Sequence, residues 1–390
     1  MNEMTRSIFS GMQILSEGKW VTQHAVVVEK NIIKAIISEE MISHHFPAKH
    51  HHFPHDYYLI PGLIDLHVHG AHGKDVMDAN QESLAVISRG LAEEGVTGFL
   101  ATTMTMDNAR IEAALSCISD SHTKMPGAKI LGVHLEGPFI AKEKIGAQAG
   151  DFVQHPNHEL MSKWQKISGD TIRLVTLAPE LPGAIPLIKM LHRNNIIPAI
   201  GHTNATYEET QAAILAGGRY ATHLFNAMSG LHQRKAGAVA ALLLSNEVSA
   251  ELIVDGFHLH PAMTELAFRL KSKNYLILVS DAMRAKCMGD GKYELGGQTV
   301  RVHADKVTLE DGTLAGSTLV LSQAIKNMSL FSQCSLIDAI QMATHNPAAM
   351  LGLSTHKGSI AVGWDADITV LDANLSAVFT MCEGKEIFSK

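Results

Sequence analysis

Apolar runs typical of β-strands recur along most of this sequence at intervals of roughly 30–35 residues, and a helical pattern follows each one. This spacing is that of a βα unit, in which a helix packs back on the preceding strand. The eight runs are Leu63–Val68, Gly98–Thr102, Ile130–Leu135, Ile172–Leu177, Ile197–Ile200, Tyr220–His223, Glu251–Val254 and Leu276–Val279. They predict an α/β fold, a closed (β/α)8 barrel of the TIM type. A doubly wound sheet is less favoured, because no glycine-rich phosphate loop follows the first run.

The two ends of the chain differ from its middle. Residues 1–58 contain short strand-like runs separated by turns, and the tail Gly358–Phe388 returns to a strand-like composition. We therefore predict two domains. A small β-sandwich is formed by residues 1–58 together with 357–390, and the catalytic barrel spans 59–356.

Composition narrows the classes of partner. The 390 residues carry a formal net charge of −7, which argues against nucleic acid or an anionic membrane as a partner. The four cysteines (Cys117, Cys287, Cys334 and Cys382) are far apart and form no C-x-x-C pair, which disfavours a disulfide framework and a thiolate zinc site. Neither a secretory signal nor a transmembrane run is recognisable. We expect a soluble, cytoplasmic protein.

Polar side chains cluster at the carboxyl ends of the predicted barrel strands, where the loops build the open face that carries chemistry. His67 and His69 are two residues apart on the first strand, so both point to the same side, into the barrel. Further polar residues at strand ends are His134, Glu136, His202, His223 and Asp281. A lone histidine in such a place is more often structural, but a converging set is costly to bury without a partner.

A divalent cation would remove that cost, because imidazoles and carboxylates are suitable N and O ligands. The chain has 23 histidines, and histidine is the commonest metal ligand. We predict one or two divalent ions per subunit, Zn²⁺ or Fe²⁺. The histidine-rich tract at residues 44–55 precedes the barrel and is broken by prolines, which predicts an exposed loop with at most adventitious metal binding.

Several segments resemble, in the same order, those of one enzyme family. Pro61–Gly70 is similar to the first strand of the amidohydrolase superfamily. More narrowly, other segments resemble the N-acetylglucosamine-6-phosphate deacetylases of that superfamily. These segments are His134–Phe139, Gly201–Thr203, Thr222–Met228, Asp255–His258, Leu314–Ser317 and the tail segment Lys357–Asp367. Together they cover nearly the whole chain.

The resemblance implies roles for individual residues. Glu136, His202 and His223 would hold the main metal ion, and Asp281 would be the catalytic acid and base. Because this chain keeps His67 and His69, which some members lack, a second ion can be held there. The implied substrate contacts are Ala147, Gln148, Asn226, Ala227, Arg234, His258, Leu314, Ala315 and Gly316.

The implied reaction is the metal-dependent hydrolysis of the acetamide of N-acetylglucosamine 6-phosphate, which yields glucosamine 6-phosphate and acetate in amino-sugar catabolism. The resemblance also implies a homodimer. Many members carry a histidine where Gln148 stands. A glutamine can still donate a hydrogen bond to a carbonyl oxygen, so Gln148 or His258 is expected to stabilise the developing oxyanion.

Three alternative functions must be distinguished from this deacetylase activity. Cyclic-amide hydrolases of the same fold commonly use a modified lysine on strand four, and Ile172–Pro179 contains none. A deacetylase for N-acetylgalactosamine 6-phosphate stays open, because one epimeric hydroxyl leaves no recognisable mark. A non-catalytic metal-binding protein is suggested by the histidine-rich tract, but Asp281 argues against it because metal storage needs no general base.

A dianionic sugar phosphate requires a local cation on a protein of net charge −7. The segment Leu231–Lys235 after strand six supplies Arg234, whose planar guanidinium matches phosphate oxygens. We therefore expect Arg234 to contact the phosphate directly, although Lys235 or a second subunit is the alternative.

Overall fold

The computed structural model of the protein describes residues 6–44 and 47–390. Seven short strands precede the barrel: β1 (Arg6–Ser10), β2 (Gln13–Ser16), β3 (Lys19–Val21), β4 (His24–Glu29), β5 (Ile32–Ser38), β6 (Lys49–His52) and β7 (Tyr58–Pro61). Four of them form a sheet in the order β5-β4-β1-β6. The other three belong to a second sheet that the chain end completes.

Eight parallel strands form the central sheet in chain order, each hydrogen-bonded to the next. They are β8 (Leu63–Val68), β11 (Val96–Thr103), β12 (Lys129–Glu136), β13 (Ile172–Leu177), β14 (Ile197–Ile200), β15 (Tyr220–Ala221), β16 (Ser249–Leu252) and β17 (Leu276–Leu278). Two two-residue strands, β9 (Gly70–Ala71) and β10 (Lys74–Asp75), follow the first of these. All eight predicted runs are therefore confirmed as barrel strands.

The barrel closes through residues that follow the eighth strand. Val68 and Ala282 form a parallel bridge, and the His69 N–H donates to the Ala282 carbonyl at 2.8 Å. The sixth strand ends earlier than the predicted run because the backbone of His223 is left-handed, with φ of 27°, which ends an extended segment.

The described part of the chain contains ten α-helices: α1 (Gln81–Glu93), α2 (Asn108–Ser121), α3 (His158–Ile167), α4 (Ala184–Arg193), α5 (Tyr207–Leu215), α6 (Gly237–Leu244), α7 (Pro261–Lys271), α8 (Leu321–Ser332), α9 (Leu336–Ala343) and α10 (His345–Met350). α1 shows why they pack on the sheet. Its buried Leu84, Ile87 and Leu91 share one face at helical spacing, and the Asn80 side chain accepts from the Ser83 N–H at its start. No helix within residues 6–44 and 47–390 has the length and apolar character that a membrane crossing requires.

An antiparallel sheet is inserted after the eighth barrel strand, and the sequence analysis did not anticipate it. It consists of β18 (Gly291–Leu295), β19 (Gln298–His303) and β20 (Lys306–Thr308). Its tip contacts the loop after the third barrel strand, because the Gln298 side chain donates to the Ala147 carbonyl at 2.8 Å. The insertion thus stands over the carboxyl ends of the barrel strands.

The end of the chain completes the second sheet with β21 (Ile368–Leu371), β22 (Ala377–Cys382) and β23 (Lys385–Ser389). The strand order is β23-β22-β21-β7-β2-β3, so the sheet joins both ends of the chain. Ile14, Leu59 and Phe379 are buried together between this sheet and the four-stranded one. A four-stranded sheet from the first part of the chain and a six-stranded sheet from both ends agree with the predicted fold class. The domain boundaries 1–58, 59–356 and 357–390 stay a prediction.

Part of the histidine-rich tract forms a strand, so the predicted loop is wrong for Lys49–His52. This strand, β6, pairs in parallel with β1 at the edge of the four-stranded sheet. His51 is half-buried there and stacks on Phe9, with ring centroids 4.7 Å apart. The local sequence could not show this, because the pairing partner lies about 40 residues earlier in the chain. The prediction for His45 and Phe46 lies outside the described residues.

Candidate active site

The polar residues predicted at strand ends do converge. His67, His69, His134, Glu136, His202, His223 and Asp281 are all buried at the carboxyl ends of the barrel strands. His202 and Asp281 have left-handed backbones, with φ of 46° and 48°. Non-glycine residues adopt this conformation at a cost, and such strain is concentrated at functional sites.

Glu136, His202 and His223 form a first ligand cluster. Glu136 Oε1 lies 3.1 Å from His202 Nε2 and 3.2 Å from His223 Nε2, and the two Nε2 atoms are 3.1 Å apart. Each ring donates from its Nδ1 to a main-chain carbonyl, that of Lys144 for His202 and that of Asn226 for His223. In the neutral imidazoles the Nε2 lone pairs therefore face each other and a carboxylate oxygen. Such converging acceptors fit a divalent cation.

His67, His69 and Asp281 form a second ligand cluster beside the first. Asp281 Oδ1 lies 3.4 Å from His67 Nε2 and 3.3 Å from His69 Nε2. Glu136 stands between the clusters, because its Oε1 faces the first cluster and its Oε2 lies 3.2 Å from His69 Nε2. The described residues thus offer two neighbouring cation positions that share one carboxylate.

Burial and mutual charge shift the pKa values in this site. Burial alone would raise the pKa of Asp281, but the His67 and His69 imidazoles hold it at about 2. Burial alone would lower the pKa of His69, but the Asp281 and Glu136 carboxylates raise it to about 9. The His67, His202 and His223 imidazoles outweigh the burial of Glu136 and hold its pKa well below the ordinary value. Both carboxylates are therefore ionised at neutral pH, as cation ligands must be.

Gln148 is held against the shared carboxylate. Its Nε2 donates to Glu136 Oε2 at 2.7 Å, and its Oε1 accepts from the Thr105 N–H at 2.7 Å. The donor at Thr105 fixes which end of the amide faces Glu136. Gln148 thus orients Glu136, a contact that sequence reasoning had not assigned to it.

A cavity of about 350 Å³ opens directly above the two ligand clusters. The predicted contact residues that line it are Ala147, Gln148, Asn226, Ala227, His258, Leu314 and Gly316. His258 Nδ1 is bound to Asp255 Oδ2 at 2.7 Å, which leaves Nε2 for a ligand. Ala315 is buried between two lining residues.

Arg234 does not line this cavity. It lies on an exposed loop and borders a separate depression with Asn204, His232 and Lys235. The sequence places the guanidinium near the sixth strand, but the direction of the loop depends on packing that no local pattern encodes.

Several lining residues were missed by the sequence analysis. Met104, Ile253 and Leu295 form apolar walls of the cavity, and apolar residues near strand ends give no signal that separates them from the core. Glu251 was assigned to a barrel strand but to no function. It is fully buried and its Oε2 lies 3.0 Å from His67 Nδ1. A charged residue within an apolar barrel strand was the signal that could have revealed it.

The sequence profile of the Amidohydrolase family matches residues 58–387. The N-acetylglucosamine-6-phosphate deacetylase of Bacillus subtilis (strain 168) is 38% identical over 389 residues, which cover 96% of this chain and 98% of that protein. The N-acetylgalactosamine-6-phosphate deacetylase of Escherichia coli O157:H7 is 36% identical over 369 residues, 94% of this chain and 96% of that protein.

A solved structure of a Mycobacterium smegmatis N-acetyl-D-glucosamine-6-phosphate deacetylase mutant in complex with N-acetyl-D-glucosamine-6-phosphate superposes with a TM-score of 0.91. It is 28% identical and covers 99% of this chain and 100% of that one. The deacetylase of Thermotoga maritima superposes with a TM-score of 0.88 at 33% identity, over 98% of this chain and 100% of that one. With its barrel, its paired ligand clusters and these similarities, the chain belongs to the amidohydrolase family.

Proposed function

We propose that this protein hydrolyses the acetamide of N-acetylglucosamine 6-phosphate to glucosamine 6-phosphate and acetate, in amino-sugar catabolism. One observation carries the proposal. The Asp281 carboxylate belongs to the second ligand cluster and, together with the first cluster, lines a 350 Å³ cavity. Curated relatives with 36–41% identity over most of this chain are deacetylases of amino-sugar phosphates, which supports this substrate class.

Glu136, His202 and His223 would hold the main divalent ion, and His67, His69 and Asp281 a second one. Zn²⁺ and Fe²⁺ both suit this mixture of imidazole and carboxylate ligands. When bound, such an ion polarises a carbonyl oxygen and acidifies water. The bond to the Lys144 carbonyl and the bond to the Asn226 carbonyl keep the two ligand rings in one tautomer.

Asp281 is the proposed general base and acid. As an ionised carboxylate it can accept the proton of the attacking water and deliver it to the departing nitrogen. Its Oδ1 lies 3.4 Å from His67 Nε2 and 3.3 Å from His69 Nε2. His258 lines the cavity, and because its Nδ1 hydrogen is donated to Asp255, its Nε2 can donate to the developing oxyanion only when the ring carries both protons. Gln148 is engaged by Glu136.

Asn226, Ala227 and His258 would contact the sugar phosphate at one wall of the cavity. Arg234 is exposed and borders a different depression of the same chain. We therefore propose a homodimer in which Arg234 reaches the phosphate of the substrate bound to the partner subunit. The free state of all four cysteines supports the proposed cytoplasmic location.

N-acetylgalactosamine 6-phosphate is the second candidate substrate, because the E. coli relative that is 36% identical is named for it. The two sugars differ at one hydroxyl, and a buried hydrogen bond to that hydroxyl would separate them by roughly 10-fold or more.

Acetate release from both sugar phosphates tests the proposal. We expect release from at least one of them, loss of release after chelation, and recovery with Zn²⁺ or Fe²⁺. The Asp281→Asn variant serves as the matched control for contaminating activity. A metal-loaded protein that releases acetate from neither sugar phosphate contradicts the proposed function.

A further inference from the structure

Glu251 is a buried acid that the reaction described above does not use. It lies on β16, the seventh barrel strand, and its side chain is fully buried inside the barrel. A carboxylate in such a place is costly unless it is paired and hydrogen-bonded. The hydrogen-bond partners of this carboxylate therefore indicate its role.

Two partners of the Glu251 side chain are residues of the ligand clusters. Its Oε2 lies 3.0 Å from His67 Nδ1 and accepts the main-chain N–H of His223 at 2.9 Å. Oε2 alone thus contacts one residue from each cluster. Burial and the neighbouring Glu251 carboxylate raise the pKa of Tyr220, a further neighbour of this side chain.

The contact with His67 fixes the tautomer of that ring. Because Oε2 of Glu251 accepts the His223 N–H and faces Nδ1 of His67 as an acceptor, that Nδ1 carries the hydrogen, and Nε2 of the neutral ring keeps its lone pair. On the Nε2 side lie His69 Nε2 at 3.2 Å and Asp281 Oδ1 at 3.4 Å. This is the arrangement in which an outer carboxylate orients a metal-binding imidazole.

We infer that Glu251 is a positioning residue, which holds His67 with Nε2 toward the second cation position. The inference rests on the proposed function, since it assumes a metal-dependent reaction. It does not make Glu251 a ligand. Among the described residues, one alternative triplet contains Glu251, His67 and His134. His134 Nε2 is engaged by the Thr176 hydroxyl at 2.7 Å, whereas its Nδ1 has no partner, so the test must separate positioning from ligation.

The test compares Glu251→Leu, Glu251→Gln and the unchanged protein. Each is stripped of metal, titrated calorimetrically with Co²⁺, and analysed for metal content after gel filtration. Glu251→Leu removes the acceptor and should lower the affinity for the second Co²⁺ by roughly 10- to 100-fold. The affinity for the first Co²⁺ should fall by at most about fivefold, because His223 loses only one main-chain hydrogen bond.

Glu251→Gln separates positioning from ligation. Its carbonyl oxygen can take the place of Oε2 and accept both hydrogens, so a positioning role predicts that two Co²⁺ ions still bind, within about tenfold of the unchanged protein. If Glu251 were itself a ligand, Glu251→Gln would lose the second ion as Glu251→Leu does, and the inference would be overturned.

Glu94→Gln is the control for removing a buried carboxylate elsewhere. Glu94 is 6% exposed and pairs with Lys286 at 2.5 Å. This variant should bind both Co²⁺ ions normally even if its melting temperature falls. Uptake of a single Co²⁺ by the unchanged protein, or equal weakening of both ions in Glu251→Leu, contradicts the inference. Absence of acetate release from the unchanged metal-loaded protein would instead reject the proposed function, and the titrations would still be interpretable.

Discussion

The main-chain N–H of Asp281 donates a hydrogen bond of 2.9 Å to the carbonyl oxygen of His67. The residue proposed for proton transfer and a candidate metal ligand are therefore joined through their backbones at the seam where the barrel closes. A side-chain change at position 281 leaves this bond intact, so the effect of the carboxylate can be measured without displacing His67.

Asp281→Asn should retain the ion held by Glu136, His202 and His223, and should lose turnover by about 100-fold or more. An amide cannot accept the water proton as a carboxylate does. Metal content and steady-state acetate release measure the two effects separately. Turnover within threefold of the unchanged enzyme would remove Asp281 from the reaction.

Glu136→Ala should lose metal at both positions, because Glu136 places one oxygen toward each cluster. In contrast, His69→Asn should reduce metal content at the second position only, since His69 belongs to one cluster. Elemental analysis of the purified variants measures both. Unchanged metal content in Glu136→Ala would mean that the ions bind elsewhere.

Gln148→Leu should lower metal affinity by roughly 10- to 100-fold, because Glu136 Oε2 loses the donor that orients it. Gln154→Leu is the matched control, since the Gln154 side chain donates to the exposed side chain of Asn108, away from Glu136. Competition with a chelator gives the affinities. Equal behaviour of the two variants would show that the Gln148 contact has no influence on the ligand.

The metal-free protein should lose stability as the pH rises from 6.5 to 9. The pKa of His69 is raised from its ordinary value of 6.5 to about 9 by its carboxylate neighbours. A histidine whose pKa is raised by folding stabilises the native state fully below pH 6.5, and this contribution disappears as the pH passes 9. For His69 this amounts to at most about 3 kcal/mol of unfolding free energy.

Urea unfolding of the chelated protein at pH 6.5, 7.5 and 9 measures this loss. His69→Asn should have a flatter dependence, and metal-loaded protein should gain stability over the same range, because bound imidazoles are neutral. A chelated protein with the same pH dependence as His69→Asn would show that His69 does not gain a proton in the native state.

Arg234→Ala should lower kcat/KM for the phosphorylated substrate by about 10- to 100-fold, because a charge-assisted contact is lost. Arg301→Ala, which removes an exposed arginine of the inserted sheet, is the control. Slow activity on the unphosphorylated sugar should not change. If Arg234 acts across a dimer, mixing the Arg234→Ala and Asp281→Asn variants should restore activity at one of the two sites of each mixed dimer. That site combines its own Asp281 with the Arg234 of the other subunit. Equal losses on both sugars would indicate damage to the fold.

The repeated strand and helix pattern was enough to predict the barrel, because each strand is a buried local run such as Ile172–Leu177. The same rule predicted that the candidate ligands converge, since strand ends in a barrel share one face. Local patterns did not reveal β6, whose partner is remote in sequence, or the direction in which Arg234 points. The contacts of Gln148 and Glu251 depend on residues from other strands, so only the folded chain could show them.

The sheet shared by both ends of the chain has a consequence for synthesis. β7 pairs with β21 (Ile368–Leu371), about 310 residues later. On the ribosome the edge of β7 that faces β21 therefore stays unpaired until about 310 further residues have been made. An unpaired edge of this kind invites association with other chains. A chain that is truncated before residue 368 would thus keep the edge of β7 unpaired and prone to aggregation. We expect such a chain to be degraded by the quality-control proteases of a cell.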